Sequence, residues 1–464
     1  MFLMVTVSVV TVYAYNHQDS SDVTQYMNVR DQSEDYDHLF DNYNFKSFTI
    51  EFEPDVFDSM IANMQDHFDI YGDYIDNTMY PVNFTYQDNY GSITVLEVGF
   101  RTSSSTSRNL PRTIDWRDRY VYHQTSFQLQ FNETFEYLDN TNIYQILKTR
   151  EVFNLEQLNF EYSQIYDGDY DEAMISEAFS QYLYREAGLI VSNASYGIVY
   201  LKIGEELISY GFFTVVEPID SEFLKANFRS DKALEYGDLY KVTDIQGEGA
   251  LREDYEDMLG VDGDTFRYTY SLRNNTLDGT RINHDAFIDF IEAVNEYDYF
   301  LGNYEKIIDY DMFARYLAIA FLIGNSDDIR YNYNNYYIYF DVYTSVATII
   351  PFDLDASLGF GKHLDLSGNY GVDYNIGYNL DDVSPLVDDF FRTLALVTMY
   401  QEYLVQFIED FFNYQTFLAM YLDAKSLYEN ILVSEGHLGN KVFSTRNLEW
   451  YFTEKTSSVL EQIQ

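Results

Sequence analysis

The sequence predicts an α+β fold with a β-rich N-terminal lobe at about 38–240, a mainly helical C-terminal lobe at about 241–464, and a cleft between them. In the first half, β-branched and aromatic residues alternate or cluster between turn residues, which is typical of strands. From residue 285 onward, apolar residues recur at three- and four-residue spacing, which indicates amphipathic helices. Hydrophobic residues make up 46 % of the 464 positions, which is enough for a large core and excludes a disordered acidic chain.

Individual elements follow from these patterns. The predicted strands are 45–52, 93–100, 126–131, 195–203 and 209–217, and a helix is predicted at 54–66. The segment 168–187 is an amphipathic helix that Gly188 ends, since glycine is a common helix terminator. The later helices are predicted at 285–296, 311–324, 389–412 and 414–432, with one β-hairpin between them at about 335–353. No linker rich in Gly, Ser or Pro divides the chain.

The charge of the chain limits its partners. It has 28 Lys and Arg against 76 Asp and Glu, a formal net charge of −48, and no cysteine. Such a surface repels the phosphate backbone, so nucleic acid is excluded as a partner. A cationic partner, divalent cations or a salty medium suit it better. Without cysteine there are no disulfides, thiolate metal sites or thiol catalysis.

The first 14 residues, MFLMVTVSVVTVYA, form one uncharged apolar run. The run is shorter than the roughly 20 residues that cross a bilayer but fits the hydrophobic region of a signal peptide, with a cleavage site after Ala14. We therefore expect a secreted or cell-surface protein, with no integral membrane segment beyond the signal. The basic residues that usually open a signal peptide are absent, which leaves open a truncated start or a buried N-terminal strand.

The most informative segment is 322–360, LIGNSDDIRYNYNNYYIYFDVYTSVATIIPFDLDASLGF. An apolar helix ends at Gly324, a polar loop follows, and two strands joined by a turn at 341–345 lead to Asp353 and Asp355. An antiparallel hairpin returns its second strand to the start of its first, so both aspartates come back beside Asn332 and Asn335. Residues two apart in an extended chain share a face. Carboxylate and amide oxygens suit a hard cation such as Mg²⁺ bound with a polyphosphate.

Asp327 lies five residues before Asn332, the spacing that a kinase catalytic loop has between its catalytic aspartate and its metal-binding asparagine. The alternative is a purely structural role, in which these Asp and Asn residues only cap helix ends and turns. The apolar segments on both sides of the loop and of the aspartates favour a buried site.

A second feature is the segment 101–119, RTSSSTSRNLPRTIDWRDR, with five arginines and a net charge of +3 in a strongly acidic chain. Guanidinium groups in a Ser/Thr-rich loop can hold phosphate oxygens through bidentate hydrogen bonds. Pairing of the same arginines with the acidic surface is the alternative, and the sequence leaves both open.

Together these motifs resemble the family of spore-coat protein H (CotH), atypical protein kinases of the spore coat and secretory pathway with a distant protein-kinase-like fold. The resemblance lies in six segments: HLFDNYNFKSFTIEF (38–52), VGFRTSSSTSR (98–108), SYGFFTVVEPIDSEFLKANF (209–228), GDLYK (237–241), YLAIAFLIGNSDDIRYNYNNYYIYFD (316–341) and IIPFDLDASLGFG (349–361). The last two are the most specific. The resemblance implies a two-lobed kinase-like fold over 38–464, ATP as phosphate donor, and Mg²⁺ or Mn²⁺ as cofactor.

The resemblance also implies roles for individual residues. Asp327 lies in the catalytic loop, and its neighbour Asp328 is a second candidate for the catalytic carboxylate. The metal ligands it implies are Asn332, Asn335, Asp353 and Asp355, with Asp353 in the part of the metal-binding DFG aspartate. Glu177 matches an acidic helix residue that can pair with a nucleotide-binding lysine. The remaining candidates for nucleotide binding are Arg101, Arg108 and Lys241.

Two departures from the family pattern stand out. The loop after Arg101 reads TSSSTS without the usual glycine, and the strand at 123–131 has His and Gln where a phosphate-binding lysine is expected. Loss of such a charge-assisted contact can cost on the order of 10²–10³ in rate. Lys241 or an arginine of 101–119 is a candidate replacement.

Three functions follow as hypotheses. The first is an exported kinase that transfers the ATP γ-phosphate to Ser or Thr of a basic or Ser/Thr-rich surface or coat protein. The second is a pseudokinase that serves as a binding or assembly protein, which the missing lysine favours. The third, a calcium-stabilised adhesin, is disfavoured because the segment 167–178 lacks the turn glycine and final glutamate of a calcium loop.

Overall fold

The computed structural model describes residues 32–103, 109–162, 171–231, 236–263, 267–274, 283–325, 327–359 and 384–463. The segment 1–14, Arg108 and the first residues of the predicted helix 168–187 lie outside these ranges. The signal-peptide prediction is therefore not tested by the structure.

The protein is a mixed α+β fold. Its strands are β1 (Lys46–Phe52), β2 (Tyr80–Asp88), β3 (Gly91–Thr102), β4 (Arg112–Ile114), β5 (Tyr120–Tyr122), β6 (Phe127–Gln130), β7 (Gln157–Tyr162), β8 (Ala194–Ile203), β9 (Glu206–Val216), β10 (Leu239–Val242), β11 (Leu259–Gly260), β12 (Tyr270–Leu272), β13 (Tyr336–Phe340) and β14 (Ala347–Pro351). Its helices are α1 (Gln32–Phe40), α2 (Pro54–Tyr71), α3 (Asn142–Leu147), α4 (Ser176–Glu186), α5 (Ser221–Asn227), α6 (Asp285–Val294), α7 (Tyr297–Ile307), α8 (Tyr310–Ile323), α9 (Pro385–Arg392), α10 (Leu394–Asp410), α11 (Tyr414–Ser434) and α12 (Leu448–Ile463). None of the helices in the described ranges combines the length and the apolar composition that a bilayer crossing needs.

Seven strands close into a barrel in the order β1-β2-β3-β6-β7-β9-β8. Neighbouring strands are antiparallel, except that β1 and β8 pair in parallel to close the ring. Alternate side chains point inward, and aromatic rings fill the interior: Phe127 stacks on Phe160 with ring centroids 4.5 Å apart. Since successive residues of a strand point to opposite faces, the neighbours of these core residues lie on the outer wall of the barrel.

A second sheet has five strands in the order β11-β12-β10-β13-β14. The hairpin β13–β14 is antiparallel, and Tyr336 pairs with Pro351 at its open end while Phe340 pairs with Ala347 at the turn. Every residue of both strands is buried. The helix α8 packs against this sheet and is buried over most of its length, from Phe313 to Ile323 with the exception of Arg315. The sheet therefore holds the segments on both sides of the hairpin in fixed positions.

Most of the predicted elements are confirmed, with three differences, and further elements were not predicted, among them the barrel strands β2 and β7 and the helices α7 and α12. The second sheet contains β10, β11 and β12 as well as the predicted hairpin; these strands have only two to four residues, too few to show a period. The helix predicted to start at 168 begins at Ser176, and the one predicted at 389–412 is divided into α9 and α10 by Thr393, whose backbone is extended. The two-lobed kinase-like arrangement and the boundary near 240 stay predictions.

Candidate active site

The loop between α8 and β13 is anchored by a buried ion pair. Gly324 ends α8 in the left-handed conformation, with φ 62°, and its N–H bonds to the last turn of the helix. The Arg330 guanidinium then binds the Asp328 carboxylate at 2.7 Å and donates to the carbonyl oxygens of Ala320 and Asn325. Both charged side chains are almost fully buried. Asp328 therefore anchors the loop through Arg330, and Asp327 is the more accessible of the two carboxylates.

Asp327 is held by asparagine side chains. Nδ2 of Asn332 donates to its Oδ1 at 3.0 Å, Nδ2 of Asn335 donates to its Oδ2 at 3.0 Å, and Asn334 adds a longer bond of 3.5 Å. Burial raises the pKa of the Asp327 carboxyl, and the bonds from Asn332 and Asn334 counteract part of this effect. The carboxylate is thus fixed in orientation by neutral donors and has no basic partner among them.

The hairpin brings two further aspartates to the same place. The N–H of Phe352 donates to the carbonyl of Asn335 at 3.3 Å, and the chain then turns at Asp353, which has a positive φ of 55° like the 56° of Asn335. Such conformations are uncommon for residues other than glycine, although Asp and Asn tolerate them best. Asp353 is hydrogen-bonded to Asp355. Burial raises the pKa of both carboxyls, and the charge of Asp327 raises both further. The charge of Asp353 also raises the pKa of Asp355, whereas the hydrogen bond with Asp355 lowers that of Asp353.

Two more carboxylates approach from other elements. Glu161 lies on the outer wall of the barrel, next to the core residue Phe160, and Glu177 lies in the first turn of α4. Asp171 fixes the start of α4 by accepting hydrogen bonds from the backbone N–H and the hydroxyl of Ser176. Burial and the charge of Asp353 raise the pKa of Glu161 to about 7 and raise that of Glu177 well above its usual range.

We call these five residues the acidic cluster: Glu161, Glu177, Asp327, Asp353 and Asp355. Their charges raise one another's pKa because carboxylates in a shared low-dielectric site repel each other. The described residues contain no group of three or more His, Asp or Glu side chains close enough to hold a metal ion by themselves. A cation at this place would therefore take only part of its ligands from carboxylates. That fits Mg²⁺, which keeps several waters and is usually bound through one or two carboxylates and substrate phosphates.

Positive groups face the acidic cluster. Lys241 on β10 pairs with Ser271 on β12, and Arg273 lies two residues beyond Ser271 on the same face of the sheet. The Lys241 ammonium lies 4.3 Å from the centre of the Phe352 ring. Burial and the charge of Arg273 lower its pKa to about 8, whereas Asp353 and Glu161 oppose this shift. Lys241 is thus held between the acidic cluster and the arginines.

Arg101 occupies the facing barrel wall. It pairs with Gln128 across β3 and β6, and its guanidinium donates two hydrogen bonds, of 3.0 and 2.7 Å, to the amide oxygen of Gln128. Burial lowers the pKa of Arg101, and the charges of Arg273 and Arg267 lower it further. We call Arg101, Lys241, Arg267 and Arg273 the basic set. The basic set lies beside β6. In this strand the family resemblance leads us to expect a phosphate-binding lysine, and this chain has Gln128 instead.

The structure thus brings most of the predicted site residues together. Among the described residues no ion pair joins Glu177 to a lysine, and the charges that act most strongly on it are those of other acids. Within the predicted arginine segment, Arg112 pairs with Asp58 of α2, and Arg119 pairs with Asp115 in the β4–β5 hairpin. Their placement favours surface pairing for that part of the segment, and Arg101 is the described arginine that reaches the site.

Sequence reasoning missed four residues of this site: Glu161, Asn334, Arg267 and Arg273. Glu161 is the last acid of a strand too short to indicate its partner strands. The two arginines lie on either side of the three-residue strand β12, in segments that carry no motif. Asn334 lies between two predicted ligands and could have been included on spacing alone.

The residues present fit a nucleotide and a divalent cation by the chemistry of their donors: oxygen ligands on one side, and guanidinium and ammonium groups on the other. A search of curated proteins gave no match. A family model, CotH kinase protein, matches residues 118–453. The match includes Glu161, Glu177, Lys241 and the whole segment from Asp327 to Asp355, while Arg101 precedes it. Since the match covers well over half of the chain, the protein belongs to the CotH kinase family and is kinase-like.

Proposed function

We propose that this protein is an exported protein kinase that transfers the γ-phosphate of ATP to Ser or Thr with the help of Mg²⁺. The observation that carries the proposal is the arrangement of the acidic cluster opposite the basic set. A polyphosphate bound with a cation needs negative ligands for the metal and positive groups for the phosphate oxygens. Membership of the CotH kinase family supports ATP and a divalent metal in general, and the choice of Mg²⁺ rests on the oxygen donors.

In this proposal Asp327 orients the acceptor hydroxyl and takes its proton. Its two oxygens already accept bonds from Asn332 and Asn335, so the carboxylate needs no rearrangement before it acts, which is how fixed groups contribute to catalysis. Mg²⁺ would neutralise phosphate charge when bound, and Asp353 and Asp355 would hold it. Asn332 or Asn335 would add an amide oxygen.

In this proposal the basic set binds the phosphate oxygens of ATP. Lys241 and Arg273 share one face of the second sheet, and Arg101 approaches from the barrel. Three charges from two elements can replace one lysine, since each guanidinium offers a bidentate contact to phosphate. The acceptor is a basic or Ser/Thr-rich surface or coat protein, because the net charge of −48 attracts cationic partners.

The second candidate is a pseudokinase that binds a partner without turnover. The observation that favours it is Gln128, a neutral residue that accepts hydrogen bonds from Arg101 where a lysine is expected. In that case the basic set binds nucleotide weakly and the protein has an assembly role.

Phosphotransfer from radiolabelled ATP separates the two. We expect the parent protein to label a basic Ser-rich peptide with Mg²⁺ present, and Asp327→Asn to lose activity by at least about 10²-fold because its proton acceptor is gone. The matched control is Asp244→Asn, which removes an exposed carboxylate close to Asp327 and should leave activity within a few-fold. A parent without transfer that is still stabilised by Mg²⁺–ATP would support the pseudokinase. A parent that neither transfers phosphate nor binds nucleotide would refute the kinase and favour the binding or assembly protein.

A further inference from the structure

A separate cavity lies at the C-terminal end of α4 and beside the middle of α8, the two helices that reach the active site. It has a volume of about 400 Å³ and opens between the end of α4, the middle of α8 and the C-terminal half of α10. α4 starts at the active site near Glu177 and ends at the cavity, about 15 Å away at 1.5 Å per residue. α8 runs from the cavity at Arg315 to the loop that carries Asp327. The cavity is therefore distinct from the site that the acidic cluster forms.

Aromatic rings and carboxylates line this cavity together. The rings belong to Tyr182, Tyr403, Phe407 and Phe411, and the carboxylates to Glu186 and Asp410. Both carboxylates are exposed. Neither carboxylate forms an ion pair with another described residue. Asp410 accepts a 3.3 Å hydrogen bond from the neutral side chain of Gln406.

One cation also lines the cavity, and its charge is already neutralised. The Arg315 guanidinium binds Asp311 at 2.8 Å and donates to the carbonyl of Ala187 at 3.1 Å. It also lies 4.9 Å from the ring centre of Tyr403. Its Nε–H is buried and finds no acceptor among the described residues. The contact with Tyr403 shows that a ring of this wall accepts a guanidinium.

We propose that this cavity is a docking site for a basic side chain, Lys or Arg, of the acceptor protein. The inference rests on the proposed kinase function for the identity of the partner, but the binding itself does not need catalysis. Two carboxylates without an ion pair, beside four aromatic rings, favour a cation over a neutral or acidic group, because carboxylates and ring faces both attract positive charge. A volume of this size suits one or two side chains. A peptide that reaches from here to the active site has at least about five extended residues between the basic residue and the phosphorylated one.

The test is binding of a fluorescein-labelled tri-arginine peptide, measured by anisotropy without ATP at 0.15 M salt, where exposed charges more than about 8 Å apart are screened. The pocket variant is Glu186→Gln with Asp410→Asn. The matched control, Glu402→Gln with Glu409→Gln, removes two exposed carboxylates from the same α10 without touching the cavity. We expect the pocket variant to lose affinity by about tenfold or more and the control by less than about twofold. Tyr182→Leu should lose several-fold, because it keeps apolar volume without a ring face.

Equal losses in the pocket variant and the control would overturn the proposal, since they would mean that the acidic surface as a whole attracts the peptide. No loss in either would overturn it too. Thermal melts confirm that each variant is folded, and Mg²⁺–ATP binding is measured on the same samples. Loss of peptide binding with nucleotide binding intact separates the docking site from the active site. A parent that binds the peptide but not nucleotide would leave the docking site standing and refute the kinase.

Discussion

Asp353→Asn should make the metal-free protein more stable and abolish its response to nucleotide. Burial and the nearby charge of Asp327 raise the pKa of Asp353 from 3.8 to about 6. A carboxyl whose pKa is higher in the folded state stabilises the protein while it is protonated, below about pH 4, and this contribution is lost as the pH rises through about 6. At pH 7.5 the parent therefore carries an unfavourable charge that asparagine lacks.

The size of the effect follows from the pKa difference. At 1.36 kcal/mol per pKa unit it amounts to about 3 kcal/mol, and to about half of that if Asp355 shares the proton. For a chain of 464 residues that unfolds as one, about 1 kcal/mol corresponds to 1 °C. The variant should melt about 1.5 to 3 °C above the parent at pH 7.5, and the difference should fall to about a third of that near pH 4.5. With Mg²⁺–ATP at 100 times its Kd, the parent should gain about 2.7 kcal/mol and the variant almost nothing.

Scanning calorimetry between pH 4.5 and 7.5, with and without Mg²⁺–ATP, measures both effects. Asp389→Asn on α9 is a matched control, since burial raises the pKa of Asp389 to about 6 as well and one of its oxygens has no hydrogen-bond partner among the described residues. It should stabilise the metal-free protein in the same pH range and keep the full response to Mg²⁺–ATP. The reasoning is refuted if Asp353→Asn lowers the melting temperature at pH 7.5 or retains the response.

Three further outcomes are expected. Asp328→Asn leaves the buried Arg330 without its charge partner and should cost about 3–5 kcal/mol of unfolding free energy in urea titrations; a cost below about 1 kcal/mol would contradict the anchoring role. Lys241→Met keeps apolar bulk but removes the charge, so calorimetric affinity for ATP should fall by at least about tenfold while that for adenosine stays the same; equal losses would indicate a structural defect. Arg101→Gln should weaken ATP binding several-fold, and adding Gln128→Lys should restore it, which a purely structural role for Arg101 would not allow.

Local chemistry made part of the candidate site predictable. The glycine that ends α8, the turn at 341–345 and the two apolar strands are short-range signals, and a hairpin has only one way to return its chain. Asn335 and the segment after Pro351 therefore had to meet, as the register confirms. The catalytic and metal-binding roles of these residues stay predictions.

Other features had no local signal. Asp327 and Asp328 are adjacent and identical, and only packing against Arg330 assigns one to the interior. Likewise, Glu161 and Arg273 reach the site through strand pairing between segments about 30 to 100 residues apart. The division of the helix at Thr393 depends on packing between α9 and α10, since the apolar period continues through it.

By itself the sequence determined the α+β class, the loop and hairpin that hold Asp327, Asp353 and Asp355, and the acidity from which we predict cationic partners. These properties depend on composition and on contacts within about 40 residues. The tertiary structure decided which charges face each other: it placed the acidic cluster against the basic set, removed Asp328 from solvent, and formed the distal cavity from three helices. The physical reason is that burial and charge proximity set the state of an ionisable group, and both are properties of folded neighbours that lie far apart in the chain.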